Sequence, residues 1–574
     1  MSKCKLLFTT RLLGGRLPNA ASYIVAIITL LTILYFVFCQ ISGPSYGGID
    51  SLYNLGVAKR SAMPQSKYFL ETSMVTLIYE NTAIPSPEPS RRGISIILLK
   101  YWQNIKGDWD PNLRFPHLFW VLAWLIVGML HLKQTQAGID TRQEKIQARS
   151  GSFILWKQVL FATLLTTSAW SVCMLREQYL DDIPGAFFIL CASFILYPNP
   201  WNIHRAFFGG IITALGFAQK DFLFIWLPIT ITTYFVYYFF CGRKQSHKTL
   251  LSTIVLFCLG YAIPFLIKAT WNIHDNGGVF TNPVQHFIRL LFHADHSEHL
   301  KLFWPYFLYN DSSYTSALAL SGGMYAMLAN LVTKALPLCV LGFISLSGVW
   351  IWCIPAMTDY LIRCKNRSLQ MTWTHCIFWV CLAAYYLFCF CGFAEGTQLH
   401  YWPAPIAFAY IIGINSFESL FFAFRKKALL AIILLLFLGG ALCLHASSLP
   451  NRFLDNMPES LYVNEEGLAE IYNIASTEHS RIMMPSYSAI HYYVKYPDQE
   501  ILMMWNQLAD IDFELGKKLL DIYDIGFVLV DKQFTFANAD ILQDRLPKWS
   551  YIPENGFDIN DDRWILYRRN VQKQ

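Results

Sequence analysis

The sequence predicts an all-α polytopic membrane domain of about eleven transmembrane helices, followed by a small α/β domain at the C-terminal end. Three observations carry this. Of 574 residues, 54% are hydrophobic and only 15% charged, where soluble domains carry about 25% charged residues. The apolar residues come in blocks of about twenty, the length that crosses ~30 Å of hydrocarbon. Lys and Arg are divided unequally between alternate connecting stretches, and the composition turns polar after residue 446. An ordinary cytosolic enzyme, a disordered chain and a disulfide-stapled secreted domain are excluded. The net charge of +6 is too small to argue for a nucleic-acid partner.

The predicted spans are 21–41, 116–132, 156–175, 184–198, 206–219, 222–241, 249–269, 335–358, 374–394, 402–421 and 428–446. The first is longer than the 7–15-residue apolar core of a cleavable signal and no A-x-A site follows it, so it reads as an anchor. Only Gln219, Lys220 and Asp221 separate the fifth and sixth, which reads as a tight helical hairpin. Lys and Arg remain on the cytoplasmic side of short loops. With the N-terminus inside, the short inner stretches hold Lys3, Lys5, Arg11, Arg16, Lys133, Arg142, Lys145, Arg149, Arg205, Arg243, Lys244, Lys248, Arg363, Lys365, Arg367, Arg425, Lys426 and Lys427. The short outer loops hold Arg176 and Lys220 alone. This asymmetry places the C-terminal domain outside.

Three long segments then face outward: 42–115, 270–334 and the tail 447–574. The transmembrane domain is thus 1–446 and the extracytoplasmic domain 447–574. In the tail, apolar runs such as 526–530 and 564–567 alternate with helical stretches at 464–474 and 506–520, the pattern of an α/β domain. None of the 14 Cys falls in the three outer segments, so no disulfide framework is available there. That favours a bacterial inner membrane.

Acidic residues gather at the outer surface. Asp50 follows Tyr46-Gly47-Gly48-Ile49 and begins a stretch with apolar positions 49, 52, 53, 56 and 57 at helical spacing. A carboxylate in a first helical turn is stabilised as the anion by exposed N–H groups, which suits a base; a plain helix cap is the alternative. Asp181 and Asp182 sit ahead of Pro184 in the very short outer loop between the third and fourth spans, as one cap and one functional acid, or as caps only. His293, His296 and His299 recur every three residues with Asp295 and Glu298 between them, a spacing that suits a divalent metal as well as a solvated loop. Arg91 and Arg92 precede an amphipathic stretch, 94–106, lying on the outer leaflet. Their guanidinium groups suit either a substrate phosphate or anionic lipid headgroups.

Five motifs occur in a fixed order: Asp50 after the first span, Asn112-Leu113-Arg114-Phe115-Pro116 before the second, and Tyr179-Leu180-Asp181-Asp182-Ile183-Pro184-Gly185-Ala186-Phe187-Phe188 at the fourth. Gly216-Phe217-Ala218-Gln219-Lys220 then closes the fifth, and Leu399-His400-Tyr401-Trp402-Pro403-Ala404-Pro405 opens the tenth. In this order, over residues 20–420, the chain resembles the GT-C-fold membrane glycosyltransferases. Within them it resembles the branch that holds protein O-mannosyltransferases and the bacterial transferase that puts aminoarabinose on lipid A. The resemblance implies a polyprenyl-phosphate sugar as donor and an acceptor glycolipid, glycan or protein outside the cytoplasm. It implies inversion at the anomeric carbon with Asp50 as catalytic base and Asp181 or Asp182 as the second acid. Lys220 and His400 match positions that line the outer cavity in relatives, with Tyr401 beside them as a further binding candidate. The departing phosphate needs positive charge aimed at it, which Arg91, Arg92, Lys220 or a bound divalent metal would supply. Two features depart from the pattern. Arg91-Arg92-Gly93 stands where the lipid A branch has Glu-Lys-Pro, and Ser51 follows Asp50 where relatives with an acidic pair have Glu. Two other classes fit a chain of this composition: a flippase for lipid-linked sugars, and a non-catalytic partner in envelope glycan assembly. A flippase would carry ionisable or broken helices at mid-membrane in two related halves, and the sequence shows no such halves.

Overall fold

The computed structural model describes residues 19–42, 69–72, part of 98–105, 114–137, 151–167, 182–241, 245–276, 351–365, 372–388, 403–424, 428–447 and most of 463–570. Its helices are α1 (Asn19–Ser42), α2 (Arg114–Ala137), α3 (Gly151–Thr167), α4 (Asp182–Leu196), α5 (Ile203–Gln219), α6 (Trp226–Cys241), α7 (His247–Asn276), α8 (Cys353–Lys365), α9 (Trp373–Phe388), α10 (Pro403–Phe424) and α11 (Ala428–Ser447). A 3-10 turn, Asp221–Ile225, links α5 to α6. A helix stands at each expected span except 335–358, of which only the last residues are described. Among the described residues, four stretches are long and apolar enough to cross a membrane: Pro116–Thr135, Leu223–Phe240, His247–Thr270 and Ala404–Phe421.

The bundle is built around α10. Of Ala404–Phe421, 83% of residues are buried, against 33% of His247–Thr270, so α10 is an axis and α7 a peripheral helix. Hydropathy does not account for the difference, since the α7 stretch is the more apolar of the two. Its apolar residues pack against α2, α3, α4, α8 and α9.

Polar side chains fix the relative directions of the helices. Lys157, in the second turn of α3, pairs with Glu418 near the end of α10. It also donates to Asn415 Oδ1 at 3.2 Å. Asn415 Nδ2 donates to Thr135 Oγ1 of α2 at 2.6 Å. The Thr135 carbonyl accepts from the Tyr197 hydroxyl, just past α4, at 3.0 Å. His131 Nε2 of α2 lies 3.2 Å from Ser193 Oγ of α4 and 3.5 Å from Thr374 Oγ1 at the start of α9. The ends of α2, α4 and α10 therefore meet the starts of α3 and α9. Three helices run one way and two the other, as alternation of successive spans requires.

Two peripheral helices touch through glycine. A Cβ on Gly210 of α5 would lie 2.1 Å from the Phe257 carbonyl oxygen of α7, and one on Gly260 of α7 would lie 2.0 Å from that of Phe207. Backbone cannot yield as a side chain can, and small residues are what let apolar helices approach so closely. The expected hairpin partner of α5 was α6; instead α5 makes its most extensive contact with α7. Gly260→Ala is expected to cost about 1–3 kcal/mol by overpacking, read as a lower thermal midpoint of the full chain. One displacement of the two helices relieves both clashes, so adding Gly210→Ala should cost less than the sum.

Beyond α11 lie α12 (Glu465–Thr477), β2 (Arg481–Pro485), β3 (Ile501–Met504), α13 (Phe513–Ile522), β4 (Ile525–Asp531), α14 (Ala539–Lys548), β5 (Tyr551–Pro553) and β6 (Trp564–Arg569). With one strand from the first long loop, β1 at 69–72, they form a sheet of order β1-β3-β2-β4-β6-β5. Its edge strand β1 (Phe69–Thr72) comes from the first long loop rather than the tail, and pairs in parallel with β3: Phe69 with Ile501, Leu70 with Leu502, Glu71 with Met503 and Thr72 with Met504. β3, β2 and β4 continue in parallel; β6 and β5 are antiparallel. Ile482, Met484, Phe527 and Leu529 form one core with Leu468, Ile471 and Ala475 of α12. Their neighbours Met483, Val528 and Val530 are buried too, so the centre of the sheet is covered on both faces, as parallel strands require. The Tyr551 hydroxyl donates to the Ile525 carbonyl at 2.5 Å. Burial pushes its phenol well above the usual tyrosine range, so the donor stays protonated.

Candidate active site at one end of the bundle

The polar cluster of Lys157, Asn415 and Glu418 marks one end of the bundle. Helices α2, α4 and α10 end there, so their starts lie at the other end. The start of α4 brings Asp182 into the first helical turn, two residues earlier than the sequence suggests. Pro184 fits that turn because first-turn N–H groups have no partner within the helix. Ile183 and Pro184 are buried.

The neighbour of this start is the 3-10 turn. A Cβ on Gly185 would lie 2.3 Å from Leu223 Cδ1, so Leu223 occupies the space that glycine leaves. The Gly185 carbonyl oxygen lies 3.5 Å from the Cβ position of Gly216, in the last turn of α5. The Gly216 carbonyl accepts from the Lys220 N–H at 3.1 Å, and the Lys220 carbonyl accepts from the Leu223 N–H at 2.9 Å. Lys220 is thus held in extended backbone, φ −145° and ψ 121°, between α5 and the turn. It is half-buried, and Gln219 beside it is buried. Phe224, the next residue of the turn, joins Phe217, Tyr261 and Phe265 of α5 and α7. Trp226 follows with its ring centroid 6.0 Å from Phe408 of α10. Gly185 and Gly216, the glycines that permit this approach, are themselves part of the two motifs quoted above.

Of the expected site residues, then, two are brought to one end of the fold: Asp182, whose main chain opens α4, and Lys220. Asp50, Asp181, Arg91, Arg92, His400, Tyr401, His293, His296 and His299 lie outside the described residues, as do the segments that carry them. The described start of α10, Pro403, follows His400 and Tyr401 by a few residues. Among the described residues, no group of three His, Cys, Asp or Glu could hold a metal ion. In the expected amphipathic stretch 94–106, residues 98, 99, 101, 102 and 105 are helical. Leu99 is buried, while Leu98, Tyr101, Trp102 and Ile105 are exposed.

Sequence reasoning gave no role to Lys157 and Glu418. Both are buried, with side chains 6% and 8% exposed, inside segments read as spans. The signal was present: Asn415, Glu418 and Ser419 are polar residues at i, i+3 and i+4 in an otherwise apolar helix.

No family model and no curated protein sequence matches the chain. A solved structure does. The oligosaccharyltransferase of Archaeoglobus fulgidus, crystallised in the apo form, superposes with a TM-score of 0.53 at 10% identity, over 90% of this chain and 70% of that one. The likeness is one of fold, and the fold is of the GT-C type that the order of motifs led us to expect.

Proposed function

We propose that the chain is a membrane glycosyltransferase that moves a sugar from a polyprenyl-phosphate carrier to an acceptor glycolipid, glycan or protein on the non-cytoplasmic side. The observation that carries the reading is the meeting of two separate motifs, Asp182 with Gly185 and Gly216 with Lys220, at one end of a bundle whose fold is that of an oligosaccharyltransferase. That protein's name supports a lipid-linked donor by analogy of fold only.

The chemistry is a single displacement. The acceptor oxygen attacks the anomeric carbon, the bond from that carbon to the carrier phosphate breaks, and the configuration inverts. Asp50 takes the acceptor proton as the new bond forms, the task of a general base. The carrier phosphate leaves as an anion. Lys220, with Arg91 and Arg92, supplies positive charge where negative charge develops. First-turn N–H groups of α4, which have no partner within the helix, add to it. His400 and Tyr401 contact the sugar or the acceptor. The donor arrives activated, so no nucleotide-binding motif is required.

The orientation follows from two supports. The excess of Lys and Arg falls in stretches that join helices at the Lys157 end, which makes that end cytoplasmic. The pairing of β1 with β3 requires residues 69–72 and 501–504 to share one side of the membrane, as they do when both the first long loop and the tail face outward. The absence of Cys from the three outer segments favours a bacterial inner membrane, which the proposed chain crosses about eleven times.

Asp181→Ala and Asp182→Ala should differ when sugar transfer from a synthetic polyprenyl-phosphate sugar is assayed in nanodiscs. The functional acid should lose at least about a hundredfold in rate, the low end for a residue that holds or moves a proton. The capping one should lose a few tenths to ~2 kcal/mol of stability with its rate retained. Equal, mild effects would make this turn a cap only.

A further inference from the structure

The sheet beyond α11 takes its edge from a distant part of the chain. Strand β1 (Phe69–Thr72) belongs to the first long loop, between α1, which ends at Ser42, and α2, which starts at Arg114. Phe69, Leu70, Glu71 and Thr72 pair in parallel with Ile501, Leu502, Met503 and Met504 of β3. On its other side β3 pairs with β2, and Ile501 is buried in the core shared with α12. The loop that gives up this strand also carries Asp50 before it, and Arg91 and Arg92 after it. A loop pinned between its ends loses freedom in both arms, because the entropy of a closed loop grows with its length. A reacting group kept in the right region contributes far more than one that must search for it. Paired edge residues gain hydrogen bonds of about the same worth as the backbone freedom they give up. The pairing is therefore finely balanced, and one lost hydrogen bond weighs heavily in it.

We infer that the C-terminal domain is a positioning device for the first outer loop: through the β1–β3 ladder it restrains the segment that carries Asp50, Arg91 and Arg92. The inference rests on the proposed function for what those residues do. The ladder is read without any substrate. β1 acts through those residues and is a positioning segment, not a catalytic one.

The ladder is tested first without substrate. No native Cys lies in the three outer segments, so introduced thiols are alone there. Thr72→Cys with Met504→Cys are partners in register. Neighbouring strands lie about 4.8 Å apart, within disulfide reach. In the full-length chain in nanodiscs, copper phenanthroline should join them, seen as a linked peptide by mass spectrometry. Phe69→Cys with Met504→Cys, out of register by about 10 Å, should join at least about tenfold more slowly.

Leu70→Pro and Glu71→Pro are then each added to the Thr72→Cys, Met504→Cys pair. Successive N–H groups of a strand point to opposite sides, so only one of these residues donates to β3. Pro is tolerated on an edge where its missing N–H would face away. One proline should slow the joining and lower kcat for sugar transfer from a synthetic polyprenyl-phosphate sugar, each at least about tenfold. The other should leave both within about threefold. Hydrogen exchange of β4, two strands from β3, should match the unaltered chain in both, a combination that a role in sheet stability alone would not give. Closing the disulfide in the chain without proline should keep transfer within about twofold of the reduced form. Equal joining of the in-register and out-of-register pairs would overturn the inference. So would equal effects of the two prolines, or transfer within threefold from the proline variant that blocks joining. A rise in exchange at β4 as large as at β3, or transfer lost on closing the disulfide and regained on reduction, would overturn it too. No transfer by the unaltered chain, with the disulfide formed in register, would overturn the proposed function and the positioning role with it, while the ladder stands.

Discussion

Asp50→Asn is expected to lower sugar transfer by about 10²- to 10⁴-fold, the usual contribution of a positioned general base, while insertion, folding and donor binding stay near normal. Asparagine keeps the size and hydrogen-bonding reach of the side chain but cannot take a proton, so the loss should fall on kcat with KM little changed. Asp50 follows the anchoring first span by a short Gly-containing stretch and starts a helical pattern of apolar residues. It is the first of five motifs whose order resembles that of the GT-C glycosyltransferases, and the likeness to the archaeal oligosaccharyltransferase is one of fold. Transfer by Asp50→Asn within a few-fold of the unaltered chain would remove the base from the mechanism and return Asp50 to a helix cap.

Arg563→Leu is expected to destabilise the C-terminal sheet by about 3–5 kcal/mol. Arg563 Nε donates to Asp531 Oδ1 at 2.6 Å and Nη2 to Oδ2 at 2.5 Å, with side chains only 5% and 3% exposed. Asp531 ends β4 opposite Trp564 at the start of β6, so the pair fastens the parallel half of the sheet to its antiparallel half. Removing the arginine leaves a buried carboxylate without its cation. Adding Asp531→Leu should recover most of the loss, because an apolar pair of similar volume needs no compensation. Denaturant melts of the full chain would measure both. A single variant within ~1 kcal/mol of the original, or a double variant worse than the single, would mean that the pair does not hold the sheet.

Local pattern carried far in this chain. The apolar run at 526–530 lies within β4, that at 564–567 within β6, and the helical stretch expected at 464–474 is α12 from Glu465 onward. The apolar blocks became helices because twenty consecutive apolar residues have few other stable arrangements. What stayed hidden depends on distant partners. Phe-Leu-Glu-Thr at 69–72 has no strand signature of its own, and it becomes β1 only because β3, more than four hundred residues later, offers an edge. Lys157 and Glu418 each lie near the end of an apolar segment, where a charge reads as an interfacial residue. Only packing brings the pair together inside the bundle. The site was legible in part for a similar reason. Gly185 and Gly216 belong to motifs that sequence order singled out, but their meeting at Leu223 and Lys220 is a property of helix packing.

The claim on which the rest depends is transfer of a sugar from an isoprenoid phosphate on the outer side of the membrane. Mass spectrometry of total glycolipids and glycoproteins, compared between cells with and without the gene, tests it most directly. The account predicts one acceptor class lighter by a single sugar residue when the gene is absent, restored by the unaltered chain and not by Asp50→Asn. Identical glycan masses in the two cell populations would contradict it.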